Sequence, residues 1–219
     1  MKSLRFTFVT ITVFVVIGGT AGALPFISDA NTVGLYHFDG NYSDESGFAG
    51  PFNPLVSGLT FGSSVTGYGS ALWTIPDNPQ FYDFDLGNMS EWLHYQGTSG
   101  WTVEALVYNP STTSGAQVAV HYSDGVAGHD PFSFGTRNYG TEAYWQVGWG
   151  GDPNKLEITA DFTPDTWHHL AGVYNADNNK ISLYVDGILE SWGTLGGPME
   201  LLAGYGVYVG SSSVFGIDE

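Results

Sequence analysis

Apolar and polar positions follow two different patterns along the chain. From Phe6 to Ile17 there are twelve residues without a charge. After residue 24 no helical period is sustained, and apolar residues come in short runs that alternate with polar ones, the signature of strands with one buried face. Val33 to Phe38 is a first such run, closed by Asp39-Gly40. Trp101 to Tyr108 alternates cleanly, with Trp101, Val103, Ala105 and Val107 on one side and Thr102, Glu104, Leu106 and Tyr108 on the other. Gln117–Tyr122, Tyr144–Trp149 and Trp167–Tyr174 read as further strands. In the last of these, Trp167, His169, Ala171 and Val173 share a face. A polar turn at Asn175–Lys180 leads to Ile181–Val185, and Asp186-Gly187 predicts a tight turn before Ile188-Leu189. Asp-Gly suits the two positive-φ positions of a type I′ hairpin. Tyr205–Val209 is the final predicted strand, and residues 76–100 form the least regular stretch. The expected architecture is an all-β, two-sheet antiparallel sandwich.

The charge-free run at the start has a different meaning. Lys2 and Arg5 precede it, and Gly18-Gly19-Thr20-Ala21-Gly22-Ala23 follows. A basic start, an apolar centre and an Ala-x-Ala end are the parts of an export leader, which predicts cleavage after Ala23. The run is too short for the roughly 20 residues that a membrane-spanning helix needs. Residues 1–23 are therefore expected to be a signal peptide and 24–219 the folded domain. The mature chain is expected to be secreted or held at the cell surface, without membrane insertion.

Composition narrows the partners. The chain has 22 Asp and Glu against 5 Lys and Arg, a formal charge of -17. Loss of the leader removes two of those bases, leaving Arg137, Lys155 and Lys180. Nucleic acid is excluded, because neutralising phosphates takes a basic surface, and an acidic polysaccharide is disfavoured for the same reason. No cysteine is present, so disulfides, thiol nucleophiles and thiolate metal sites are absent. The 31 glycines fit a chain rich in turns.

Four segments, taken in order, resemble a known family. They are Leu35-Tyr-His-Phe-Asp-Gly-Asn41 with Asp44-Glu-Ser-Gly47; Gly67-Tyr-Gly-Ser-Ala-Leu72; Trp101-Thr-Val-Glu-Ala105; and Asp165-Thr-Trp-His-His-Leu-Ala-Gly-Val-Tyr174 running to Leu183-Tyr-Val-Asp-Gly187. The chain closes with Phe215-Gly-Ile-Asp-Glu219. Together these are similar to the laminin G-like jelly-roll domain of the concanavalin A-like lectin/glucanase superfamily. Members are mostly non-catalytic modules of exported bacterial proteins, many of which bind glycans or proteins. The resemblance therefore implies a jelly roll over about 30–219 and a carbohydrate or extracellular protein as partner. Leu106 stands where the family often has Trp. Members usually continue past Ile-Asp-Glu with a further strand of mixed apolar and basic residues, so the resemblance implies a chain truncated one strand short at Glu219.

The same resemblance implies a structural Ca²⁺ held by Asp39, Asn41 and Asp218. A hard cation takes roughly six to eight oxygens, and a Gly-rich turn exposes carbonyls beside carboxylates. Asp39 and Asn41 serve equally well as ordinary turn residues accepting backbone N–H groups. Glycosidases of the superfamily carry Glu-x-Asp-x-(x)-Glu on one strand, and a retaining pair must lie about 5–5.5 Å apart. That spacing is absent: Glu104 is alone on its strand, and Asp83 and Asp85 have no third acid following them at the required spacing. A hydrolase acting on a neutral polysaccharide is thus the second reading, and a purely structural domain the third. His168 and His169 are adjacent on a strand, point to opposite faces and cannot chelate one metal. Seven Trp are available for sugar stacking or for core filling. Trp101 and Trp167 are expected in the core, and Tyr139, Tyr144, Trp145 and Trp149 form the candidate ligand-binding patch. The leading reading is a secreted, non-catalytic binding module.

Overall fold

The computed structural model describes residues 9–13, 27–29, 32–47, 50–51, 60–63, 70–73, 83–84, 100–112, 117–123, 131–148, 154–199 and 206–212. These residues contain fourteen strands and no helix. In chain order they are β1 (Val9–Val13), β2 (Thr32–Tyr36), β3 (Thr60–Ser63), β4 (Ser70–Trp73), β5 (Asp83–Phe84), β6 (Trp101–Tyr108) and β7 (Gln117–Ser123). There follow β8 (Phe132–Arg137), β9 (Glu142–Val147), β10 (Leu156–Asp161), β11 (Trp167–Asn175), β12 (Lys180–Val185), β13 (Ile188–Thr194) and β14 (Gly206–Ser212).

Two six-stranded sheets form a jelly-roll sandwich. The first runs β13-β12-β11-β6-β1-β2 and the second β10-β9-β8-β7-β14-β5, with β3–β4 as a separate hairpin. The core side of the first sheet carries Trp101, Val103 and Ala105 of β6, Leu170 and Tyr174 of β11, and Ile181, Leu183 and Val185 of β12. The second sheet answers with Val120, Tyr122, Phe132, Phe134, Ala143, Trp145, Val147 and Ile158. The two layers meet where Trp101 and Trp145 pack edge-to-face with ring centroids 5.3 Å apart. Such aromatic pairs contribute about 0.5–1.5 kcal/mol beyond the area they bury.

Most strands fall where alternation places them. The β12–β13 hairpin closes through Asp186 and Gly187, at φ 51° and 79°, as a type I′ turn requires. Trp167 departs from the expectation. It is half-buried and faces away from the core, 5.2 Å from the Tyr108 ring, because the core side of β11 is the other one, with Leu170 and Tyr174. β8 and β10 were not foreseen, and both shape the site below.

β1 breaks the antiparallel pattern. It pairs parallel with β2 and parallel with β6, while every other pairing is antiparallel. Its sequence, Val-Thr-Ile-Thr-Val, lies inside the expected leader. It is β-branched throughout and alternates with period two, so the residues that make an apolar leader also make a strand.

Candidate functional site

The three described residues of the expected aromatic patch, Tyr139, Tyr144 and Trp145, do not share one surface. Trp145 is fully buried in the core. Tyr144, its neighbour on β9, faces the opposite side of the sheet, because successive strand residues alternate. Its hydroxyl lies 3.1 Å from Ser133 Oγ, and its side chain is closed to solvent. Tyr139 is exposed in the β8–β9 turn at φ 59°, beside Asn138 at φ 55°. Trp149 lies outside the described residues.

The outer face of the second sheet instead assembles three polar rows. Cross-strand register aligns His121 of β7 with Ser133 of β8, Ser133 with Gln146 of β9, and Gln146 with Glu157 of β10. The next row is Gly135, Tyr144 and Thr159, and the third is Arg137, Glu142 and Asp161. Neighbouring strands stand about 4.8 Å apart, so each row offers one side chain per strand at that spacing. The deep members are nearly closed to solvent: His121 is 3% exposed, Gln146 5%, and Ser133 and Tyr144 0%. Arg137, Glu142, Glu157 and Thr159 are half-buried and form the open side toward β10. Gln146 donates through Nε2 to the Gly148 carbonyl at 3.3 Å, while its Oε1 has no hydrogen-bond partner among the described residues.

Arg137 organises the open side. Its Nε donates to Glu142 Oε1 at 2.5 Å and its Nη2 lies 2.7 Å from Glu157 Oε1. Its guanidinium carbon is 5.6 Å from the centre of the Tyr144 ring. Partial burial works against the charge, but the hydrogen bonds and charges of Glu142 and Glu157 outweigh it and hold the guanidinium above its ordinary range. Both carboxylates are thereby engaged by one cation. Glu104, the acid on the strand Trp101–Tyr108, is also engaged, with Oε2 2.9 Å from His169 Nε2. Neither arrangement leaves a free carboxylate pair flanking a cleft, as glycoside hydrolysis requires.

The two adjacent histidines diverge as alternation demands. His169 meets Glu104 on the outer face, whereas His168 packs against the Phe162 ring at 4.6 Å with Nδ1 2.7 Å from Asp186 Oδ2.

Asp39 and Asn41 occupy the turn after β2 and are exposed. Asn41 Oδ1 accepts the Ser43 N–H at 2.8 Å, and its amide nitrogen points at the Asp39 carbonyl at 3.4 Å. That places a donor against a carbonyl that a cation would need. Asp218 lies outside the described residues, and no cluster of three or more His, Asp or Glu with metal-binding geometry occurs among the described ones. Asp39 and Asn41 alone do not make a calcium cage.

Among these groups, Ser133, Arg137, Gln146 and Glu157 escaped sequence reasoning. The available signal was the alternation Phe132-Ser-Phe and Leu156-Glu-Ile-Thr-Ala, which marks two strands whose polar members share a face.

Comparison with known proteins identifies the fold. The sequence profile of the laminin G-like family, in the concanavalin A-like lectin/glucanases superfamily, matches residues 85–218. No curated protein matches the chain. Among solved structures, domain 4 of AbnA, a GH43 extracellular arabinanase from Geobacillus stearothermophilus in complex with arabinotriose, is similar at 16% identity and TM-score 0.52. The match covers 81% of this chain and 82% of that one. The CBM40 of the Ruminococcus gnavus IT-sialidase is similar at 12% identity and TM-score 0.51, covering 63% of this chain and 76% of that one. Its form bound to α2,3-sialyllactose gives 13% identity and TM-score 0.43, covering 50% of this chain and 62% of that one. The chain belongs to the laminin G-like family of the concanavalin A-like lectin/glucanases superfamily.

Proposed function

We propose that the chain is an exported, non-catalytic module that binds a glycan on the outer face of β7–β10. The observation that carries this reading is the set of polar rows, in which an amide, hydroxyls, an imidazole and a carboxylate-clamped guanidinium lie within a few strand spacings. Sugar hydroxyls both donate and accept, so a surface offering both kinds of partner suits them. Gln146 Oε1 is a buried acceptor ready for one such hydroxyl. The deep members are closed to solvent, so binding requires opening above them, with entry from the Glu157 and Thr159 side. Fold likeness to domain 4 of an arabinanase, whose structure holds arabinotriose, is consistent with the reading. Export rests on the leader-like residues 1–23.

A glycan array followed by calorimetric titration tests the proposal. At least one oligosaccharide should bind. Gln146→Ala should weaken that binding about three- to tenfold, the worth of one hydrogen bond. Reducing sugar accumulating over time would overturn the non-catalytic reading, and undiminished binding by Gln146→Ala would remove the ligand from this face.

A further inference from the structure

Resting on that reading, we infer that the site selects neutral glycans over acidic ones. Receptors of acidic sugars need a cation free to meet a carboxylate, and Arg is the side chain whose fork fits it. Arg137 is the one Arg on this face, and its fork is already occupied by Glu142 at Nε and Glu157 at Nη2. Asp161 closes the same row as Arg137 and Glu142. The open side of the site therefore sets one positive charge against three negative ones. Of the other two cations of the mature chain, Lys180 covers the Trp192 ring at 4.7 Å on the first sheet, and Lys155 stands just before β10, two residues from Glu157, so even with its charge the acids of this side outnumber the bases.

A sugar carboxylate entering here meets Glu142 and Glu157 before it meets an unshared donor. A hydroxyl meets no such barrier, because it donates to either carboxylate and accepts from the remaining guanidinium N–H groups. The ion triad thus holds Arg137 beside the Tyr144 ring, 5.6 Å from its centre, while cancelling the charge that would draw a uronate. The excess of 22 acidic residues over 5 basic ones acts in the same direction at longer range.

The test compares matched neutral and acidic oligosaccharides, a galactan against a polygalacturonan fragment of equal length, by titration at neutral pH and low salt. The neutral member should bind at least tenfold tighter. Residual affinity for the acidic member should rise as salt screens the repulsion. Glu142→Gln with Glu157→Gln releases Arg137 and should narrow or reverse the preference, with a melting curve to check folding. Equal or tighter binding of the acidic sugar by the wild type would overturn the selectivity while leaving the glycan site standing. An acidic affinity that falls with salt would overturn it without any variant. Failure of every neutral and acidic glycan to bind would overturn the parent reading and the selectivity together.

Discussion

Gly172 of β11 lies flat against the indole of Trp145 across the sandwich. A Cβ added at Gly172 would stand 2.7 Å from Trp145 Cδ2 and 2.9 Å from Cε3. The two layers are therefore set at a spacing that only a hydrogen at this position allows. Trp145 has no room to retreat, since it also packs edge-on against Phe134, with ring centroids 5.8 Å apart, and against Phe132 at 5.7 Å.

Gly172→Ala should destabilise the domain by about 1–3 kcal/mol, the range for overpacking a filled core. Thermal unfolding followed by tryptophan fluorescence measures it. A melting temperature equal to that of the wild type would mean that the layers separate at no cost.

Asp44 is the anchor of the turn after β2. Its Oδ1 accepts the N–H groups of Leu35 at 3.0 Å and Ser46 at 2.8 Å. Its Oδ2 accepts from Ser46 Oγ at 2.8 Å and from the Gly50 N–H at 3.2 Å. The same carboxylate, after burial itself, adds to the upward shift of the Tyr36 hydroxyl's pKa. Asp44→Ala strands donors that are partly buried and should cost about 1–3 kcal/mol. Asp39→Ala, five residues earlier and exposed, should cost less. Chemical denaturation of the two variants ranks them, and the reverse order would make Asp39 the structural acid of this turn.

Much of this fold is legible from alternation, and the site is not. β6 and β12 each show a period-two pattern in which one face is apolar, and Asp186-Gly187 announces its turn by residue type; β11 is legible as a strand but not in its facing, because each of its faces carries a His among apolar residues. The polar rows depend on lateral register, which places Ser133 beside Gln146 and Gln146 beside Glu157. Register is set by which strands pair and where, and no single strand records it. Tyr144 and Trp145 part for the complementary reason: they are neighbours in sequence and so point to opposite faces of their strand. β8 carries only a short alternation, Phe132-Ser-Phe, before Gly135-Thr136-Arg137, a weaker signal than the eight residues of β6.

Asp165 gives the domain a defined acid response. Its carboxylate accepts hydrogen bonds from Ser111, side chain and backbone, which hold its pKa below the ordinary 3.8. A carboxylate whose folded pKa is lowered favours the folded state wherever it is ionised. Its contribution is complete above the unfolded value and disappears as pH falls below that value through the folded one. Asp165 sits at φ 59°, a conformation that Asn tolerates, so Asp165→Asn removes the charge without backbone strain. The variant should lose stability at neutral pH and converge on the wild type in strong acid. Urea midpoints measured across that range test it, and a constant offset at every pH would assign the effect to something other than ionisation.

The parallel strand β1 separates two strands that would otherwise be open edges. β6 pairs with β11 on one side and with β1 on the other, and β1 is also the partner of β2. Removing residues 1–23, as export processing would, leaves the β2 and β6 edges facing each other about 9.5 Å apart, two strand spacings. Along β6 successive backbone N–H groups alternate between its two neighbours. In a chain spanning 24–219, the β6 amides directed at β1 should exchange with solvent faster than in 1–219, and those directed at β11 should keep their protection. The β2 amides paired to β1 should lose protection with them. Amide-resolved hydrogen exchange by NMR distinguishes the two sets. Equal protection of both sets in the shorter chain would mean that another segment takes the place of β1, and uniform loss in both would mean that β1 is needed to hold the first sheet together.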